Sequence, residues 1–499
     1  MRRLSAFLMI VALLAALAVV STGPLGVAAT EEPARAAEGS AQVDIDGLVA
    51  RFQDELARSG YVSQPGTEFV ADFNRRYCEG DVFSGIWANP QTPYIVTGLP
   101  EVPGQAPNTN DLAGTSLSWR LRDDEAFVMI GVTPPPMAFF SFDLSMMSGS
   151  VDTGPLLWVA VGDPIDDRSV RTIGSTPYER PFALVYTGDQ RTRTEVDQML
   201  AAAGLAGATN HVTIPPAMFR LGLDEGSDEF FLGIRTAVPD AGFEEALDAY
   251  RATPPLQVFR VRPKSGSADE MEPVYLPDPL PVPPLRVSGT GTTELDLNPS
   301  LQLLRQRIIE RYPDYEAQDV AFERGFEESY PGLQARMVID PPVQGVGSTS
   351  YDGTYLISPD FSLPDGSFLV GYGANHAATG KASYMSFTVY ADAEAVVSLA
   401  SKHHDELQGS ARDFIADDPN ADLLYAWAFS RAGEGGPTGS HVTTLAPTDA
   451  DFCAQYGTSR PVDMGTVQIV TRVYQEPATG TRPALSELLL DRALLFTPK

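Results

Sequence analysis

The sequence predicts an α+β protein made of two sheet-containing halves with helices packed on the sheets. Three observations carry that expectation. Strand-like and helix-like segments alternate through residues 180–262. Residues 273–284 hold six prolines in twelve positions, a composition that favours an extended connector without internal hydrogen bonds. Each half also carries a strand, loop, strand unit, at 127–142 and at 368–390. A tandem duplication would account for that repetition, as would chance resemblance between β segments. Both halves further close on a strand with an internal arginine before a proline, Arg260 or Arg472.

The expected domain order runs from an export signal (1–29) through a flexible lead (30–42) to a first α+β half (43–272). The connector (273–284), a second α+β half (285–476) and a C-terminal segment (477–499) follow. In the signal, Arg2 and Arg3 precede the apolar run Leu4–Val20, and Val27-Ala28-Ala29 supplies small residues for cleavage. An uncleaved anchor is the alternative, since the run is close to the shortest span that crosses a bilayer. No later stretch is long and apolar enough to span a membrane, so none is expected after signal cleavage.

Along the first half, residues 44–59 read as a helix. Ile45, Leu48, Val49, Phe52 and Leu56 share a face, Asp44 can cap its start and Gly60 its end. Phe127–Val132 and Met137–Phe142 read as paired strands across Pro134-Pro135-Pro136, whose three missing donors keep the link out of any ladder. Leu156–Val161, Phe182–Thr187, His211–Ile214, Phe230–Val238 and Leu256–Val261 read as strands. Thr194–Ala203 and Phe243–Arg251 read as helices, and a ferredoxin-like arrangement fits 180–262. The second half opens on a helix at Asn298–Arg311, with Pro299 in the first turn and Leu301, Leu304 and Ile308 on one face. Leu423–Phe429 and Val467–Tyr474 read as strands.

Of 499 residues, 65 are acidic and 35 basic, a net charge of −30 that opposes nucleic acid and anionic membranes alike. With 43% hydrophobic and 9% aromatic residues, the chain can bury a sizeable core. The two cysteines, Cys78 and Cys453, suggest one disulfide in an exported chain. By loop length it would contribute about 4 to 5 kcal/mol at most.

The candidate site is the loop inside Phe368–Tyr390, where two apolar strands flank Asn375, His376, Thr379, Gly380 and Lys381. His376 is the candidate general acid or base, because imidazole titrates near neutrality. Lys381, one of only four lysines in the chain, would hold an anionic group. Asn375 would orient the ring and Tyr384 would donate a proton at the strand mouth; the alternative is a tightly packed turn.

Other motifs fail on spacing. A phosphate loop needs a hydroxyl after its lysine and a helix beyond, but Ala382 and an alternating strand follow Lys381. His403-His404-Asp405-Glu406 lacks the spacing of a zinc helix. Asp418, Asn420 and Asp422 begin a calcium-loop pattern, but Leu423 and Phe429 stand where glycine and glutamate belong. There is no G-x-S-x-G elbow. Asn210-His211 repeats the Asn-His pair; if the chain is duplicated the two histidines would be equivalent or face one cleft, and the alternative is a strand-start histidine capped by its own backbone.

The expected function is an exported globular protein with a pocket for a small or extended ligand near residues 373–384, with His376 as acid/base if it is a hydrolase-type enzyme. The alternative is a non-catalytic extracellular binding or cell-surface interaction protein. No cofactor or metal is nominated. A metal-dependent hydrolase using the acidic turn or His403-His404 is a third class, sensitive to chelation.

Overall fold

The computed structural model describes residues 44–499 except 110, 113–114, 150–155, 266–269, 326–346, 349, 392–393 and 432–435. The expected export signal and the whole of the lead lie outside the described residues.

Asp44 caps helix α1 (Ile45–Arg58) by accepting from the Gly47 amide, and Leu48, Val49, Phe52 and Leu56 form its buried face. Strands β1 (Tyr61–Pro65) and β2 (Thr67–Ala71) follow, then helix α2 (Phe73–Glu79) and strand β3 (Tyr94–Gly98). Next come β4 (Ala126–Val132), β5 (Met137–Gly149), β6 (Leu156–Ala160) and β7 (Pro181–Thr187). Helix α3 (Gln190–Leu200) begins earlier than the apolar pattern suggests, because the Asp189 side chain accepts from the Thr192 amide and fixes the start. Strands β8 (Thr209–Thr213) and β9 (Glu229–Pro239), helix α4 (Glu244–Ala252) and β10 (Leu256–Pro263) complete the half.

The second half opens with α5 (Asn298–Arg311) and β11 (Tyr315–Val320), β12 (Glu323–Gly325) and β13 (Gly353–Ile357). Strands β14 (Phe368–Ala374), β15 (Tyr384–Ala391) and β16 (Val397–His403) follow. Short helices α6 (His404–Leu407) and α7 (Arg412–Ile415) precede β17 (Leu424–Arg431), β18 (Val442–Leu445), β19 (Thr466–Tyr474) and β20 (Arg492–Pro498).

Each half contributes an outer and an inner sheet. The outer sheets run β1-β10-β4-β7-β8 and β11-β20-β14-β17-β18; the inner sheets contain β2-β3-β9-β5-β6 and β12-β13-β19-β15-β16. Each of these ten first-half strands thus has a counterpart at the same place in the second half, while the short strands Asp111–Leu112, Thr115–Ser116 and Ile165–Asp166 have none. Directions agree too: all these pairings are antiparallel except β7 with β8 and β17 with β18, which are parallel. The segment Gly347–Ser348 of the second half adds a parallel strand to β6, so the halves share a sheet edge.

The layers stack as helix, outer sheet, inner sheet, inner sheet, outer sheet, helix. Leu48, Phe52, Val196 and Leu200 pack α1 and α3 on Val128, Ile130 and Val185. Phe127, Phe142, Leu184 and Leu232 fill the first sandwich. Leu369, Phe387, Phe429 and Ile469 fill the second, and Leu301, Leu304 and Ile308 cover Phe368, Val370 and Phe496. Gly371 on β14 is part of this packing, since a Cβ there would stand 2.5 Å from the Phe387 ring. The two inner sheets face each other across a seam that includes Phe139, Tyr384, Tyr390, Tyr474 and Phe231.

Three expectations need correction. The strands of each strand, loop, strand unit do not pair: β4 and β14 lie in outer sheets, β5 and β15 in inner ones, so each link crosses a sandwich. Local pattern cannot distinguish a hairpin from a crossover, because both read as two apolar runs around a turn. Residues 180–262 are not ferredoxin-like, since β9 leaves for the inner sheet while β7, β8 and β10 stay in the outer one. Arg472 is matched by Arg235, not Arg260: Arg235 sits opposite Ser141, and Arg472 opposite Ser386, in the same pair of strands. Three residues beyond each arginine, Val238 and Gln475 both adopt left-handed backbone, φ 51° and 47°.

The connector both joins the halves and lies against the first. Its backbone amides at Val274, Asp278 and Leu280 donate to Asp124, Asp189 and the Gly188 carbonyl. Cys78 and Cys453 form the expected disulfide, Cα–Cα 5.3 Å, tying α2 to the turn Phe452–Tyr456. No helix among the described residues is long and apolar enough to cross a membrane.

Candidate functional site

The loop between β14 and β15 folds back on itself because Asn375 accepts from the Ala378 amide and the His376 carbonyl accepts from the amides of Lys381 and Ala382. Gly380 takes φ 78°, which a side chain would resist. Asn375 also donates to the His404 carbonyl (2.9 Å) and to Gln408 (3.1 Å). It holds the turn against α6 and does not touch the imidazole's ring nitrogens.

His376 is not presented to solvent; it is 1% exposed. Its Nδ1 lies 2.8 and 2.9 Å from the Glu294 oxygens, and its Nε2 lies 3.7 Å from Asp491. Glu294 also accepts from the Leu489 amide (2.9 Å) and the Thr379 hydroxyl; Tyr425 donates to Asp491 (2.8 Å). Burial by itself pushes the imidazolium pKa down. The Glu294 charge and the bond to Asp491 outweigh it and raise the pKa to about 10. Burial likewise opposes ionisation of Glu294, but His376 pulls its pKa below the ordinary carboxylate value.

Lys381 is 3% exposed. Its Nζ donates to Glu476 and Glu487, each at 2.6 Å, and to Thr290 at 3.1 Å. The bond from Lys381, with the amides of Thr290 and Gly291, holds the Glu487 pKa down to about 2. Tyr384 is buried in the seam, its hydroxyl accepting from Asn89 at 2.9 Å. Three of the nominated residues, Asn375, His376 and Lys381, share the loop, Tyr384 begins β15, and the four divide among separate clusters. Two of these are ion-pair cages, closed by the chain after the connector (Thr290, Glu294), by Glu476 at the end of the second half and by the C-terminal segment (Glu487, Asp491).

The remaining motifs do not converge. His211 pairs with Asp197 at 2.6 Å on β8, in the other half's outer sheet from His376. Burial pushes the pKa values of His403 and His404 down, leaving both neutral near pH 7. Asp422 is taken by Arg412, and Asp418 accepts from the Asn420 amide. Among the described residues, no group of three or more His, Cys, Asp or Glu side chains is placed to hold a metal.

Sequence reasoning missed a cleft at the seam. It is lined by Tyr94, Asp143, Ser145, Phe231, Gly233 and Arg235 from the first half and by Ser350 and Tyr355 from the second; its enclosed volume is ≈ 30 Å³. Arg235, 2% exposed, donates through Nη2 to Asp352 (2.7 and 2.8 Å), Asp143 (3.1 Å) and Ser350 (3.2 Å), and through Nε to Ser141 (3.1 Å). Burial pushes the Asp143 carboxyl up to about 7, despite Arg235 and with Asp352 adding to the rise. The available signal was a lone arginine in the otherwise apolar run Phe230–Val238.

No protein-family model and no curated protein matches the chain. The VPA0106 protein of Vibrio parahaemolyticus is similar over 90% of this chain and 99% of its own, at 11% identity and TM-score 0.36. A protein of the T13 IBDV viral particle is similar over 91% of this chain and 86% of its own, at 8% identity and TM-score 0.10. Likenesses at these TM-scores leave function to be argued from this chain's own residues.

Proposed function

We propose that the chain is an exported, non-catalytic interaction protein, and that its partner-facing surface is the strap formed by the connector and the residues after it. One observation carries this. Among the described residues, eight large hydrophobic side chains are exposed, and five of them, Val274, Leu276, Val282, Val287 and Leu295, lie on this strap. Leu276 is 91% exposed and Val287 83%. Apolar side chains gathered on one surface segment mark an interaction site, and burying the two most exposed, Leu276 and Val287, would contribute about 1.5 to 3 kcal/mol each. The connector's backbone is already tied to the first half and the residues after it to Glu487, so a partner would not bear the cost of ordering the strap. Its prolines suit a groove that reads an extended, donor-poor segment.

The burial of His376 and its pairing with Glu294 support the non-catalytic reading over an acid/base role for that ring. An imidazole held charged to about pH 10 by a buried carboxylate does not exchange protons near neutrality. The repeated strand order, with Arg235 and Arg472 in equivalent register, supports descent of the two halves from one duplicated unit.

A photo-crosslinking phenylalanine placed at position 276 in the producing cells tests the reading. A discrete protein adduct is expected, reduced at least tenfold by Val282→Ser with Val287→Ser, variants that leave Tm unchanged. If no adduct forms, or if it survives both substitutions undiminished, the strap is not the interaction surface.

A further inference from the structure

The proline-rich connector is extended chain with two unlike edges. From Glu272 to Asp278 exposure alternates residue by residue. Glu272, Val274, Leu276 and Asp278 are exposed, and Pro273, Tyr275 and Pro277 between them are half-buried. A period of two is that of a strand. Bonds to the first half fix the direction of its backbone groups. The amides of Val274, Asp278 and Leu280 donate inward to Asp124, Asp189 and the Gly188 carbonyl, and the Asp278 carbonyl accepts from the Gln190 amide. In extended chain the N–H and C=O of one residue share a direction that reverses at the next. Even-numbered residues therefore turn these groups toward the first half, and odd-numbered residues turn them away.

The odd positions 273, 277, 279, 281 and 283 are all proline. Within 273–284 only Tyr275 keeps an outward N–H. No hydrogen bond among the described residues reaches the carbonyls of Pro277, Pro279 or Pro281. The outer edge is thus a row of acceptors nearly without donors. An added strand needs both in alternation, so this edge resists β-pairing with a partner or with a second copy of the chain. Acceptors set between proline rings suit side-chain donors in an aromatic wall, because an indole or a phenol brings an N–H or O–H together with a flat face. On the exposed face, Val274 and Leu276 lie between two carboxylates, Glu272 and Asp278. Six residues of extended chain set the Cα atoms of that pair about 19 Å apart.

We propose that the partner presents a groove paved with Trp and Tyr, whose side-chain donors take the outward carbonyls of Pro277, Pro279 and Pro281, with a cationic group at each end facing Glu272 and Asp278. This rests on the strap being the interaction surface, and it excludes a β-strand as the occupant.

The crosslinking phenylalanine at position 276 tests the groove through two sets of substitutions, each compared in protein whose melting curve shows it folded. Pro277→Ala, Pro279→Ala and Pro281→Ala together restore three outward amides. An aromatic groove would bury them unpaired, so the adduct is expected to fall at least tenfold; a partner strand would gain ladder donors, and the adduct would hold or rise. Glu272→Lys with Asp278→Lys should lower the adduct at least fivefold, and it keeps the test open if the alanine variant melts early. In the wild-type background the crosslink should map beside a Trp or Tyr of the partner. An adduct that holds or rises in the folded alanine variant, one that is unchanged by charge reversal, or one that maps away from any aromatic side chain overturns the groove and leaves the strap as the interaction surface. Absence of any adduct in the wild-type background overturns the strap itself.

Discussion

Replacing His376 with glutamine removes the cation from a cage that keeps both of its carboxylates. Glu294 and Asp491 are 4% and 2% exposed, so neither regains water when the imidazolium goes. Breaking a buried pair in this way costs about 3 to 5 kcal/mol. The shift in pKa gives a second route to the same size. Histidine titrates at about 6.5 in the unfolded chain and at about 10 here, which at about 1.4 kcal/mol per unit corresponds to about 5 kcal/mol. A raised folded-state pKa stabilises fully below the unfolded value, and that stabilisation is lost as pH rises through the folded value. The wild type should therefore exceed His376→Gln by about 3 to 5 kcal/mol at pH 6, with the gap closing between pH 6.5 and 10. Urea unfolding of both proteins at half-unit pH steps reads this directly. A gap that stays constant across that window would show that the ring is not charged in the fold. A variant as stable as wild type at pH 6 would remove the cage as a source of stability.

Three further outcomes follow from the same packing. Lys381→Met leaves the buried Glu476 without its cation and should cost about 3 kcal/mol in urea unfolding, while an isosteric Glu476→Gln with Lys381→Met should recover part of it. Reducing Cys78–Cys453 releases a loop spanning 375 residues of sequence and should lower stability by up to about 4 to 5 kcal/mol; Cys78→Ser should melt at the same temperature with and without reductant. Gly371→Ala sets a methyl group 2.5 Å from the Phe387 ring and should cost about 1 to 3 kcal/mol by overpacking, with Tm as the readout.

Much of the local structure was legible. Helix α1 was set by Asp44 and a one-face apolar repeat, α5 by Pro299 and its leucines, and β4, β9 and β19 by apolar runs between turn residues. Strand β20 went unread, because the short run Ala493–Phe496 sits at the end of a segment with no alternation to mark it. At the site, the loop's residues were legible and their surroundings were not. Glu294 lies 82 residues before His376 in sequence, and nothing local marks it as the imidazole's partner. The seam cleft gathers Tyr94, Arg235 and Tyr355 from distant parts of the chain, a relation visible only once the inner sheets face each other.

The sequence by itself determined the class of fold, the partition into two halves and the pair of cysteines that clamps them, because helix periodicity, strand composition and proline content act over a few residues. Tertiary structure decided what the charged residues do. Whether an imidazole is a reactive group or half of a locked ion pair depends on which carboxylates arrive beside it and whether water can reach it. Here the chain after the connector and the C-terminal segment deliver Glu294 and Asp491 and exclude the solvent.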